Sequence, residues 1–356
     1  MRLNHAILHV LDFNSCVNVF SQVELDIAEK QTKAFVSKHA RRALASGENK
    51  RGTFEPDSLF APEIRAYFHG QRDFVDISIQ IAEFLAGELN AMEKAESTDI
   101  LVIDFEDDVK LSAADIPEDE FDAAIDAAYD QDGKRYFAIL LMESRQAFMH
   151  EVGREAGGAI CNSIERHHAI LPSPSQKIQS YALIESKTLN VKFVDKPREI
   201  AGQETWLIPE GLLQCTKEAS SKEIMDTVTR VVEEVAQEYG ANTTMAVSKA
   251  KAYVSQSVEE SENISVEELS QEVFNDEPMQ ERFCNAVAEE NLPERVNVEK
   301  KVAQRVSRNQ KIRTDTGIEI TFPSEYCENP DFIEFFSTPN GLISIELKNI
   351  GSIENK

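Results

Sequence analysis

Near the end of the chain, Pro330-Asp331 is followed by Glu346-Leu347-Lys348, which places the two carboxylates fifteen positions apart. The spacing matches a loose pattern of metal-dependent nucleases, in which two carboxylates hold a divalent ion and a lysine positions water or offsets charge. Alternation along a strand puts Glu346 and Lys348 on one face, as that chemistry requires. The charged face of an ordinary surface strand looks the same, however. Asn340-Gly341 predicts a plain hairpin, not the mixed αβ core in which such nucleases set the motif. Surface strand charges are the preferred reading, and no catalytic residue, metal or cofactor is assigned.

Other chemistry is thinner still. Gly153–Gly158 (GREAGG) lacks the G-K-[ST] of a phosphate loop, and no serine sits in a G-x-S-x-G elbow. His167-His168 has only Glu165 at ligand spacing. Asp104, Glu106, Asp107 and Asp108 lack the glycine of a calcium loop and read as a solvated acidic turn. The cysteines, Cys16, Cys161, Cys215, Cys284 and Cys327, never form a C-x-x-C pair. Their isolation points to a reducing compartment and away from a zinc knuckle.

The cations are more informative. A formal charge of −26 over 356 residues argues, as an average, against nucleic acid, because attraction to phosphates dominates such binding. The distribution is uneven. Between Glu83 and Asp132 lie 17 acids and two lysines, and between Tyr253 and Glu294 lie 12 acids and one arginine. Against these stand two basic islands, Lys30–Arg51 and Arg295–Arg313, each with seven cations and one acid. Segregation of this kind is what a binding face looks like. The candidate phosphate contacts are Lys33, Lys38, Arg41, Arg42, Lys50 and Arg51 in the first island. In the second they are Lys300, Lys301, Arg305, Arg308, Lys311 and Arg313. The competing reading is a pair of solvated helix faces. Phe54, Phe60, Tyr67 and Phe68 follow the first island and could stack on bases, although core packing is their commoner use.

The elements that must hold these residues follow from periodicity. Glu24–Ala45 reads as a helix with Leu25, Phe35, Val36, His39 and Ala43 on one face and the cations on the other. In the second island Val298, Val302 and Val306 recur at i, i+4, i+8, while Lys301, Arg305 and Arg308 take an adjacent side at i, i+4, i+7. Three strand-like runs come next, Gly317–Phe322, Phe332–Ser337 and Leu342–Leu347. Upstream, Phe74–Ala95 reads as a helix and Asp99–Asp108 as a strand leading into an acidic turn. Ile116–Ala128 reads as an inserted helix, and Lys134–Ser144 as a central strand. Gly153–Ile160 and His167–Gln176 read as an irregular connection. Ser180–Ser186 and Leu189–Asp195 predict a hairpin, and Trp206, the single tryptophan, a buried position. From Ser220 to Glu290 the pattern is helical, with Ser265 and Glu268 at capping-box spacing.

KIRTDTGIEI and the terminal TPNGLISIELKNI resemble the bacterial nucleoid-associated protein family of about this chain length, the roughly 37-kDa nucleoid-associated proteins. KAFVSKHARRAL, EGLLQ (Glu210–Gln214) and ISVEELSQEVF (Ile264–Phe274) extend the resemblance along the chain. It implies cytoplasmic proteins of the nucleoid that bind nucleic acid and have no known enzymatic activity.

No stretch has the apolar core of a signal peptide or the ~20 apolar residues of a membrane helix. The expectation is therefore a cytoplasmic α+β protein without a membrane partner. Residues 1–172 would form an N-terminal sheet-and-helix domain, 173–294 a hairpin plus acidic helical region, and 295–356 a basic helix with an antiparallel β-meander. The expected function is non-enzymatic binding of double-stranded DNA, or RNA, through the phosphate backbone. The alternatives are an acidic adaptor that mimics DNA or docks a basic protein, and the metal-dependent nuclease. Whether the chain forms a homodimer is open.

Overall fold

The computed structural model describes residues 1–13, 17–94, 97–107, 133–154, 160–260, 263–337 and 343–352. The fold is α+β. It divides into two compact units, Met1–Glu218 and Ala219–Lys356.

The first unit opens with β1 (Arg2–Asp12), β2 (Val17–Val19), α1 (Lys30–Leu44) and β3 (Lys50–Gly52). Two helices follow, α2 (Phe60–Phe68) and α3 (Phe74–Asn90), then β4 (Thr98–Asp107) and β5 (Lys134–Glu143). A long ribbon comes next, β6 (Arg145–Arg154) with β7 (Ile160–Ile170). β8 (Ser180–Glu185), β9 (Val191–Val194), β10 (Pro197–Ile200), β11 (Gln203–Trp206) and a π-helical segment (Leu207–Leu213) complete the unit.

An antiparallel sheet in the order β2-β1-β4-β5-β8-β9-β3 is the frame. β5 lies at its middle, and its alternation serves both faces. Phe137, Ile139 and Leu141 join the core of α2, α3 and the π-helical segment. Tyr136, Ala138, Leu140 and Met142 join the core under α1. A strand covered on both sides must be apolar throughout, which is why this run reads as central. The hairpin read as opening a second region instead extends this sheet, because β8 pairs along β5 from Tyr136 to Leu141. The division of the chain falls after Glu218 and not near residue 172.

Three other readings differ from the structure. α1 begins at Lys30 and not at Glu24. The Leu25 amide donates to the Ala6 carbonyl on β1 at 2.8 Å, and the Ala28 amide donates to the Asp26 carboxylate. Those bonds hold the preceding segment out of helix. Trp206 is half-buried, with the Lys50 and Lys217 ammonium groups 5.8 and 5.5 Å from its ring centroid. Of the connection read as irregular, residues 153, 154, 160 and 167–170 belong to the β6–β7 ribbon, while 171–176, with Pro172 and Pro174, lie beyond its second strand and outside any strand or helix. The expected helix at Ile116–Ala128, the turn residue Asn340-Gly341 pair and most of Gly153–Gly158 lie outside the described residues.

In the second unit α4 (Ser221–Glu238) starts at a capping box, Ser220 with Glu223. α5 (Thr243–Glu260), β12 (Asn263–Ser265), α6 (Val266–Val273) and α7 (Glu277–Glu289) follow. The Ser265 hydroxyl accepts from the Glu268 amide as the α6 N-cap. Ile224, Val228, Val231 and Val235 form the buried stripe of α4. The chain continues through β13 (Arg295–Asn297), α8 (Lys300–Ser307), β14 (Asn309–Arg313) and β15 (Glu319–Pro323). A short 3-10 turn (Ser324–Glu328), β16 (Ile333–Ser337) and β17 (Ile343–Leu347) close it. The C-terminal meander is thus two successive antiparallel hairpins, β14–β15 and β16–β17.

Candidate nucleic-acid interface

The second basic island is built on a short amphipathic helix. Val298, Val302 and Ala303 are buried, and Val306 packs against the same core. One side of α8 is thereby fixed inward. Lys300, Lys301, Arg305 and Arg308 occupy the exposed arc, and none of them has an ion pair with a described residue. The first turn of α8 carries Lys300 and Lys301 and no acid. Cations at that end oppose the helix dipole, so helix stability does not account for them. They add to a helix terminus whose free amides already attract anions.

β14 carries the strip onward. Gln310 is buried and Ile312 packs on the small C-terminal core, which turns Lys311 and Arg313 outward by alternation. Both cations face Glu319 across the hairpin, at 2.9 and 4.0 Å. Sequence reasoning missed the residues that hold β14 in place. The Lys251 ammonium on α5 donates to the Gln310 side chain at 2.8 Å. Burial pulls that ammonium below its ordinary range, with Glu233 acting the other way. Ser248 donates to the Ser324 carbonyl, and the Ser324 amide donates to the Arg308 carbonyl. No local pattern marks these links, since their partners are distant in sequence.

The first island is less uniform. Lys30, Lys33, Lys38 and Arg41 are exposed on α1, opposite buried Val36, His39, Ala40 and Ala43. Arg42 is also exposed, yet its guanidinium donates to the carbonyls of Pro174 and Ser175. Lys50 and Arg51 are half-buried on β3. Gly52 anchors that strand, because a Cβ there would lie 2.5 Å from the Thr216 carbonyl oxygen. The Lys50 ammonium sits over Trp206, whose ring is shared with Lys217, itself ion-paired to Glu210. Arg51 pairs through its backbone with Glu218. Phe60 and Tyr67 are buried, and Phe54 and Phe68 pack against the same core, so these aromatics are interior residues.

The nuclease-like residues sit on the β16–β17 hairpin. Lys348 is ion-paired with Glu334, and Glu346 lies 3.8 Å away. The lysine thus has two carboxylate neighbours on the hairpin. The side chains of His167 and His168 lie outside the described residues.

Asp104 requires a correction. It is wholly buried in β4 and is no part of a solvated turn. Its carboxylate accepts from Arg135 at 2.6 to 3.1 Å, from the Tyr67 hydroxyl at 2.5 Å and from Asn4 at 2.9 Å. The Arg135 guanidinium also lies 5.6 Å from the ring centroids of Tyr67 and Phe68. Hydrogen bonding to Asp104 raises the guanidinium's pKa, and burial, followed by the Asp104 charge, raises that of the Tyr67 phenol. The guanidinium is thereby held charged and the phenol neutral.

A surface groove of about 800 Å³ lies between α6 and α7, its lining including Glu267, Glu268, Glu277, Glu281, Glu294 and Arg295. No described helix is long and apolar enough to cross a membrane.

These features define a class, an α+β protein with an acidic body and solvent-facing cations gathered on two short elements. The particular family is shown by a family model described as nucleoid-associated protein YejK, which matches residues 7–354. The chain belongs to that family. No curated protein matches it.

Proposed function

We propose that this chain is a non-enzymatic protein of the cytoplasmic nucleoid that binds double-stranded DNA through its phosphate backbone, with α8 and β14 as the main contact. One observation carries the reading. Lys300, Lys301, Arg305 and Arg308 lie on one exposed arc without a carboxylate among the described residues, in a chain whose net charge is −26. Phosphate contacts of this kind set affinity and salt dependence and give little base specificity. RNA would meet the same cations, and α1 supplies a secondary contact through Lys33, Lys38 and Arg41.

The test is fluorescence anisotropy of a labelled duplex across a salt series, with and without magnesium. Each neutralised phosphate contributes about −0.9 to the log–log slope, so four contacts give a slope of about −4. Reversing Lys301, Arg305 and Arg308 to Glu is expected to flatten that slope by about three contacts and to weaken binding at least ~100-fold. Absence of binding at low salt would defeat the reading. Magnesium-dependent cleavage would return attention to Asp331, Glu346 and Lys348.

A second reading is favoured by the groove between α6 and α7. Its five glutamates suit a basic protein partner, and an adaptor of that kind would retain the partner but not the duplex.

A further inference from the structure

The β6–β7 ribbon carries a surface distinct from the cationic arcs of α1 and α8. Its strands pair only with each other among the described residues. In the register Phe148 is opposite Arg166, His150 opposite Ile164, Val152 opposite Asn162 and Arg154 opposite Ile160. Directly opposed residues share a face, and alternate residues along a strand share it too. These positions therefore form one face, and the Arg166 guanidinium, 5.9 Å from the Phe148 ring centroid, agrees with that. The ribbon's two glutamates, Glu151 and Glu165, fall on the opposite face with Met149 and Ser163. The ribbon thus sorts its charges, with Arg154 and Arg166 placed on one side and the carboxylates on the other.

The first face is also patterned row by row. Each row sets an apolar residue beside one whose side chain carries a hydrogen-bond donor. Phe148, Val152, Ile160 and Ile164 are exposed by 71, 65, 70 and 78%. His150 and Asn162 in the middle rows are exposed as well, as is Arg166. We propose that this face seats in the major groove of duplex DNA, with its apolar side chains against thymine methyls and its donors toward base edges and flanking phosphates.

The pattern selects that occupant. A lipid bilayer or an apolar protein patch would bury the donors of the middle rows, His150 and Asn162, without acceptors, which is costly. The major groove instead offers acceptors and methyl groups side by side. It is about 12 Å wide and admits a two-stranded ribbon, whereas the minor groove is about half as wide. Charge points the same way. With arginines at positions 154 and 166 and no carboxylate among its described side chains, the face is complementary to phosphate. The proposal rests on the nucleic-acid reading and deepens it. α8 and β14 contact the backbone, and the ribbon adds base-edge contacts that backbone binding alone does not supply.

Fluorescence anisotropy of the full chain on a labelled mixed-sequence duplex tests this, across a salt series and with uracil in place of thymine. Apolar groups release no counterions. Phe148→Ala/Ile164→Ala should therefore weaken binding at least ~10-fold with the salt slope unchanged. Removing the thymine methyls should weaken wild-type binding about threefold or more and leave the double variant nearly indifferent. Met149→Ala on the opposite face should change neither readout. Thermal unfolding reports whether the double variant is folded, and Ile164→Ser takes its place if it is not. Absence of wild-type binding at low salt defeats the nucleic-acid reading and this proposal with it. Salt-dependent binding that the folded double variant matches in affinity overturns this proposal alone. A wild type indifferent to uracil does the same. So does a double variant that keeps its duplex affinity but loses binding to phosphatidylglycerol vesicles, since the face would then belong to lipid.

Discussion

The two basic islands are alike in composition, each with seven cations and one acid, and differ in what the fold does with them. In the first, Arg42 is engaged by the carbonyls of Pro174 and Ser175, Lys50 lies on Trp206, and β3 is half-buried. Arg41 and Arg42 also end α1, where cations favour the helix dipole. In the second, Lys300 and Lys301 begin a helix, against the dipole, and four cations have no described carboxylate partner. A count of charges cannot separate these cases. Lys30, Lys33, Lys38 and Arg41 on α1 likewise lack an ion pair with a described residue. What separates the islands is how the fold engages the remaining cations: backbone carbonyls and an aromatic ring for Arg42 and Lys50 in the first, the Glu319 carboxylate for Lys311 and Arg313 in the second.

The largest expected effect comes from the extreme case of a partnered cation. Arg135 is held by Asp104, which is wholly buried. Asp104→Ala leaves the guanidinium, the Tyr67 hydroxyl and Asn4 without their acceptor, and breaking a buried pair of this kind costs about 3–5 kcal/mol. Urea denaturation should show that loss, with duplex binding by the folded fraction unchanged. If the midpoint stays within the error of the wild type, the Asp104 network is not a stabilising element, and the rule that partnered cations serve the fold loses its best instance.

How much of this was legible in the sequence depends on the range of the interaction. The alternation of β4 and β5, the buried face of α4 and the valine side of α8 are set by local periodicity, and the structure has them where periodicity puts them. The α6 N-cap is equally local. Asp104 was not distinguishable from Glu106 and Asp107, because its burial depends on Arg135 arriving on the neighbouring strand. The role of Arg42 depends on carbonyls more than 130 positions away. Lys50 beside Trp206 and Lys251 beside Gln310 are of the same kind. The ribbon was obscured by the prolines after it and by glycines in and between its strands, which are also the marks of irregular chain.

A smaller effect tests the first island. Removing the Arg42 guanidinium by Arg42→Ala takes away its bonds to Pro174 and Ser175, and should lower stability by about 0.5–1.5 kcal/mol. The same variant should change duplex affinity less than twofold, read by anisotropy at one salt concentration. A loss of affinity comparable to that of the α8 variants, without loss of stability, would make the two islands equivalent after all.

The smallest effect is also the sharpest test, because its two readouts move in opposite directions. Lys300 lies exposed in the first turn of α8, where the dipole favours an anion. Lys300→Glu exchanges an unfavourable charge for a favourable one, and the gain expected for an exposed site is about 0.3–1 kcal/mol. If the lysine serves phosphate, the same change must weaken duplex binding and reduce the salt slope by about one contact. A residue retained against local stability and lost at the expense of binding is a functional residue in the physical sense. Were Lys300→Glu to stabilise the chain and leave the salt slope untouched, the first turn of α8 would be a solvated surface, and the contact strip would reduce to Lys301, Arg305 and Arg308. Differential scanning calorimetry and the anisotropy series on one protein preparation decide between these outcomes.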